Sequence, residues 1–416
     1  MIIESSKRAF RVQDLAAEIL SLIFLFVCEE YSMYDPFLPP QLILAHVCLE
    51  WQRTAHNTPR LWSTLYLKLH PRHFGDYFES LSSLQATSLK YSGVVAWLER
   101  SGVVPLTIYF LDNGIVPHDE VRAIFHSIIP FLRRCQKLKL VCTATALPSD
   151  LDLPCLESLS LDLWSFSDTP SLDPGFSRAP RLRQLQIDTW LLENHLFNLV
   201  PHIRPPFSQL TILRIEGYTR NPLVYLRALM CCKNLERCHI TLPAESHTAL
   251  RVDYDLSAAE VEFEHPTLSG LSLRVATTEG VDTITHILSK ARIPRLADLY
   301  IAIESPANSW ERVFISVLVM LDFFAALSTK SGQLPYFRRL QLSRANMSFE
   351  YLRGVLESFP TITFIGLYDC DFDIGREELV AAITSDHADQ EKTQQRTCAF
   401  EIKDTPDDDI VRVRGF

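Results

Sequence analysis

Ten cysteines, at 28, 48, 135, 142, 155, 231, 232, 238, 370 and 398, are the side chains best suited to nucleophilic, redox or metal chemistry. None forms the Cys-x-x-Cys pair that a zinc or dithiol site needs, so they read as reduced, buried thiols. Cys231-Cys232 lies on an apolar helical face and is expected to pack rather than react. Asp386-His387-Ala388-Asp389 brings metal-type ligands together, but in a polar, aperiodic stretch without partner ligands, which predicts a solvated loop. There is no Gly-x-Ser-x-Gly, no His-Glu-x-x-His, no phosphate-cradling glycine loop and no RING-like ladder of Cys and His. Asn346-Met347-Ser348 is a glycosylation triplet with meaning only on a secretory route. These residues predict a non-catalytic protein without metal or cofactor, whose work is done by binding surfaces.

A chain of 416 residues, 47% hydrophobic and 22% charged, has material for two or three domains and a large core. Its 50 acidic residues outweigh 40 basic ones, for a net charge of −10, which argues against nucleic acid as a partner. The apolar stretch from Ile19 to Cys28 follows Lys7, Arg8 and Arg11 as a secretory signal would, but Asp14 and Glu18 interrupt it and no small-residue cleavage site follows. The run from Val313 to Leu327 is broken by Ser316 and Asp322 and falls short of the roughly 20 residues a membrane span needs. The expectation is a cytoplasmic or nuclear protein with no membrane partner.

Self-similarity dominates the rest of the chain. A Pro or other residue at position 0 is followed by apolar residues at +2, +5 and +7. The copies start at Pro154 (Leu156, Leu159, Leu161), Pro180, Ser208, Lys233, Pro266, Pro294, Pro335 and Pro360, with weaker ones at Val103 (Pro105, Ile108, Phe110) and Arg133 (Cys135, Leu138, Leu140). Their mean spacing is about 28.6 residues, within the 20 to 29 of leucine-rich repeats. Because strand side chains alternate, +5 and +7 face a core while +4, +6 and +8 face outward. Helical periodicity lies between copies, clearest at Val121, Ile124, Phe125, Ile128, Ile129 and Leu132, and also over 190–199, 223–231, 281–288, 310–327 and 349–359. The predicted fold is α/β: an irregular leucine-rich-repeat solenoid over 103–384, parallel strands on the concave face and helices on the convex face. Only Asn113 and Cys370 occupy the Asn or Cys position that usually follows the strand. Alternation through Val252, Tyr254, Leu256, Val261 and Phe263 predicts a hairpin insertion, and residues 385–416 read as a polar, acidic tail with a mobile tip.

Residues 10–67 lack the repeat and form a separate small helical module, with 68–102 as a helical bridge. Leu15, Ile19, Leu22, Ile23 and Phe26 share one helical face, and Leu20, Phe24 and Leu25 lie on opposing sides, so a second helix covers the first only in part and leaves surface for a partner. Leu15-Ala16-Ala17-Glu18-Ile19-Leu20, then Val47-Cys48-Leu49-Glu50-Trp51 and Thr58-Pro59-Arg60-Leu61-Trp62, resemble the F-box proteins in the form common in mushroom-forming fungi. Position 16 lacks that family's proline, so Asp14 is a candidate helix cap. Trp97-Leu98-Glu99-Arg100-Ser101-Gly102 looks like the family's bridge into its repeats.

The resemblance implies a substrate receptor of a Skp-cullin-F-box ubiquitin ligase. In that reading Leu15, Ile19, Leu22 and Ile23 face the Skp-family adaptor, through it a cullin, and Val47 and Trp51 close the box. The outward strand face would then hold an unknown target protein, with Gln186, Arg214, Glu216, Arg237, His239, Arg274, Tyr300, Arg339 and Tyr368 as candidate contacts. Acidic residues lead in its early repeats (Asp162, Asp188, Glu216) and basic ones later. The alternative is a repeat scaffold whose degenerate box recruits no adaptor.

Overall fold

The computed structural model describes residues 15–29, 39–69, 83–112, 116–143, 147, 151–164, 176–189, 206–217, 222–242, 263–275, 291–303, 334–344, 346–368, 370–372, 399–403 and 411–414. The chain forms two compact units, residues 1–159 with 165–181, and 160–164 with 182–416. The first contains α1 (Ala17–Glu29), α2 (Pro40–Ala45), α3 (Leu49–His56), β1 (Thr64–Leu69), α4 (Ser83–Arg100), β2 (Leu106–Asp112), α5 (His118–Leu132) and β3 (Cys135–Thr143). The division falls inside β4 (Ser158–Trp164). The second contains β5 (Gln184–Thr189), β6 (Ile212–Gly217), α6 (Pro222–Cys231), β7 (Arg237–Leu242), β8 (Phe263–Glu264), β9 (Gly270–Val275), β10 (Ala291–Arg292), β11 (Asp298–Ile303), β12 (Arg339–Ser343), β13 (Asn346–Met347), α7 (Phe349–Ser358), β14 (Phe364–Tyr368), β15 (Asp371–Phe372), β16 (Ala399–Lys403) and β17 (Val411–Arg414).

Both units are built on parallel strands, as the alternation of apolar residues requires. In the second the order is β5-β6-β7-β9-β11-β12-β14-β16-β17, and repeat offset alone sets the register. Leu213 pairs with Cys238, Cys238 with Leu271, Leu271 with Leu299, Leu299 with Leu340 and Leu340 with Ile365, all at +5. The +2, +5 and +7 residues of the described clean copies are buried, except Ile187, which is half-buried. Each fully buried Leu contributes about 1.5–3 kcal/mol, so the columns are the main stabilising term of the sheet.

The recurring proline has a local cause. The amides of Leu156, Leu296, Phe337 and Ile362 bond the carbonyls of Leu153, Ile293, Leu334 and Phe359, closing four-residue turns in which Pro154, Pro294, Pro335 and Pro360 take the second place, where a fixed φ is favourable. The +3 residues then form a ladder of their own. The amides of Thr211, Glu236, Ser269, Ala297, Arg338 and Thr363 bond the carbonyls of Arg183, Thr211, Glu236, Ser269, Ala297 and Arg338, each reaching the copy before it. Cys370 does the same at the far end of its strand, its thiol 3.6 Å from the Leu342 carbonyl.

Several expectations are corrected. The segment 64–69 is no closing piece of the helical module but the first repeat strand, because Leu65 and Leu67 pair with Ile108 and Phe110 and buried Trp62 fills the +2 place of a copy starting at Arg60. In the Val103 copy a register shift between Leu106 and Thr107 puts Leu106 opposite Cys135, so Leu106 is buried at +2 and Pro105 is exposed. Residues 385–416 are not wholly a tail: β16 pairs parallel with β14, Ile365 opposite Phe400 and Leu367 opposite Ile402, and β17 returns antiparallel. This copy, starting at Gln395, escaped detection because its +2 residue is Thr397. At the end of the expected insertion, Phe263-Glu264 pairs parallel with Ala291-Arg292 at the same offset before Pro266 and Pro294, while residues 243–262, which carry the rest of the expected hairpin, lie outside the described residues. The helices expected over 190–199, 281–288 and 310–327, Asp14, the run 313–327 and the 386–389 ligands lie outside the described residues, among which no helix is long and apolar enough to cross a membrane.

Candidate functional site

The first candidate is the helical module α1–α3. Leu20 and Phe24, one helical turn apart, point inward and are 2% and 0% exposed. The opposite stripe, Ile19, Leu22, Ile23, Phe26 and Val27, has the i, i+3, i+4, i+7, i+8 spacing of one face and is open to solvent, Leu22 at 61% and Phe26 at 67%. Ile43, Val47 and Leu49 are exposed as well. Of eleven exposed large apolar side chains among the described residues, eight lie in this module, a concentration that marks a binding surface.

The remaining adaptor candidates divide. Leu15 is half-buried at the start of α1, and Trp51 is half-buried with its ring 5.0 Å from that of Phe24, supporting the inward side. Val27 extends a stripe that sequence spacing already displayed. Ile43 and Leu49 carry no periodic signal and were found only by their exposure.

Polar contacts fix this module to the first repeats. The Ser21 and Thr58 hydroxyls lie 2.9 Å apart, Thr58 donates to the Thr54 carbonyl, and the Trp62 indole donates to the Ala55 carbonyl at 2.8 Å. Trp62 meets Trp97 edge-on at 4.9 Å, with the Arg100 guanidinium 5.0 Å from its ring. Burial, and then the Arg100 charge, hold the nearby His56 below the usual imidazole range. Arg134 donates to the carbonyls of Leu98 and Val104 and to the Ser101 hydroxyl at 2.6, 3.0 and 2.8 Å, clasping the end of α4, where Gly102 takes φ +55°.

The second candidate is the outward strand face of the second unit. There Gln186 donates to Glu216 at 3.2 Å, Glu216 lies 3.7 Å from His239, and His239 lies 2.7 Å from the Ser272 hydroxyl, one contact per successive strand. Arg214 and Arg237 are exposed, the stem of Arg237 lying over Gly270, while Arg274 and Tyr300 are half-buried. Arg339 lies 3.9 Å from Asp298 and 5.2 Å from the Phe364 ring centroid. Tyr368 folds across Gly366, whose missing side chain makes room for its ring, and Gln341 donates to the Tyr368 hydroxyl at 3.4 Å. Two outward positions are buried, Gly366 beneath the Tyr368 ring and Ala302. Part of the expected separation of charge is satisfied internally at Glu216 and Arg339.

Four of the cysteines are poor nucleophiles in these settings. Burial pushes Cys28 up to about 11 and Cys135 and Cys238 to about 12, and raises Cys232 as well. Cys232 is buried whereas Cys231 is exposed.

No family model matches the chain, and no curated protein matches it. Among solved structures it is similar to a chain of the Rad7 and Elc1 complex in yeast, at 14% identity and a TM-score of 0.27, over 77% of this chain and 90% of that one. A likeness this loose carries no argument about function.

Proposed function

We propose that the chain is the target-recognition subunit of a Skp-cullin-F-box ubiquitin ligase, acting in the cytoplasm or nucleus without chemistry of its own. The N-terminal module is its F-box, and leucine-rich repeats present the target surface. The observation that carries this reading is the five-residue apolar stripe on α1, exposed although Leu20 and Phe24 already satisfy the core. An adaptor that covers Ile19, Leu22, Ile23 and Phe26 removes from water an apolar surface that no described residue of the helical module buries, which is the stabilisation a constitutive subunit contact requires.

The test is calorimetric titration of the purified chain with a Skp-family adaptor. Ile19 is 47% exposed, so Ile19→Asp leaves the isolated chain folded, yet it places an unpaired carboxylate in the interface. Binding should weaken by at least about 2 kcal/mol, roughly 30-fold. Unchanged affinity with an intact circular dichroism spectrum removes this stripe from the adaptor site, and failure of the wild type to bind the adaptor leaves the scaffold without a ligase role.

A further inference from the structure

Three lysines and an aromatic pair lie together on the outward face of the first unit. Tyr66 on β1 stands opposite Tyr109 on β2, and their rings stack with centroids 4.6 Å apart and planes 13° from parallel. Tyr109 in turn stands opposite Lys139 on β3, and Thr107 opposite Lys137. Lys68 and Lys137 are exposed and Lys139 is half-buried. No acidic residue occupies an outward position of these three strands, and none of the three lysines forms an ion pair among the described residues. This is a local reversal of sign in a chain of net charge −10.

We infer that this face docks an extended acidic segment of the target protein, carboxylates at alternate positions meeting Lys137 and Lys139 and an adjoining apolar side chain resting on the Tyr66–Tyr109 stack. The inference rests on the receptor reading and specifies what the repeats recognise. Lys137 and Lys139 are two residues apart on one strand, roughly 6.6 Å, the same repeat at which an extended peptide presents side chains on one side. Two carboxylates spaced i, i+2 therefore match two ammonium groups without distortion of either chain. The stacked tyrosines are stiff, two-torsion anchors that lose little entropy on binding. A nucleic acid fits less well. Its affinity grows with the number of phosphates neutralised, and three lysines neutralise few, while the acidic remainder of the chain repels a long polyanion.

The experiment is fluorescence anisotropy of the full chain with a labelled peptide alternating Glu with Ser around one Phe, beside the same peptide carrying Gln for Glu and a labelled oligothymidylate. Lys137→Glu/Lys139→Glu should weaken the acidic peptide by about tenfold or more. Tyr109→Ala should weaken it too, and Lys233→Glu/Arg353→Glu, with the same change of net charge, should leave it unchanged. Absence of binding by the wild type, equal binding of the Gln peptide, equal loss in the control double variant, or tighter and competing binding of oligothymidylate would each overturn the inference. Adaptor titration of the same variants separates the two readings, since loss of adaptor binding alone in Ile19→Asp leaves the peptide result intact.

Discussion

His265, 2% exposed where the chain enters β9, is held neutral by its surroundings: burial lowers its pKa, and a backbone contact with Leu229 offsets this only partly. Because the folded state binds the proton less readily than the unfolded one, its contribution to stability is complete above about pH 6.5 and declines as the pH falls toward the lowered folded value. In urea titrations from pH 7 to pH 5, the stability difference between wild type and His265→Leu should shrink as the solution is acidified. A constant difference would mean the imidazole titrates alike in the folded and unfolded states. At the neighbouring strand the two sides of the sheet are separable by single substitutions. Leu271 is 4% exposed in the +5 column, so Leu271→Ala should cost about 2–5 kcal/mol. Ser272 faces outward and bonds His239, so Ser272→Ala should cost no more than about 1 kcal/mol, both read from urea midpoints. Equal costs would put the register one residue out.

The repeat strands were readable from sequence because three buried positions at fixed offsets leave little freedom of type, and each copy repeats the same test. Where one position is excused, the signal fails. Thr397 at +2 hid β16, and the register shift after Leu106 let Pro105 stand where Leu106 does the packing. The strand β1 was hidden for another reason, since Trp62 serves the helical module and the first repeat at once, its indole donating to Ala55 while its ring meets Trp97. On α1 the spacing of Ile19, Leu22, Ile23 and Phe26 marked a face in advance, but whether that face was core or surface depended on which side Phe24 and Trp51 took. The pairs among Gln186, Glu216, His239 and Ser272 join residues 23 to 33 positions apart, and only the strand register brings them together. Removal of residues 395–416 follows at this scale, for it strips β14 of its bonds to β16. An open parallel edge loses stability and invites self-association, so the shortened chain should show a lower Tm and a higher apparent mass in light scattering, whereas a merely solvated tail would change neither.

In the molecule as a whole, the exposed apolar stripe on α1 and the lysine–tyrosine face on β1–β3 belong to the same compact unit, joined by the Trp62–Trp97–Arg100 cluster and the Arg134 clasp. A rigid connection of that kind fixes the angle at which a docked segment is offered to whatever α1 holds, a geometry that a flexible linker would average away. The second unit contributes a long outward face whose charges are partly spent on one another, with Arg214 and Arg237 exposed and Tyr368 lying over Gly366. The +3 ladder has a consequence in time as well as space. Each of its amides from Thr211 to Thr363 asks for a carbonyl that lies earlier in the chain, never later. During synthesis the acceptor has therefore always left the ribosome before its donor, and every newly emerged strand finds its template waiting instead of searching for one yet to be made.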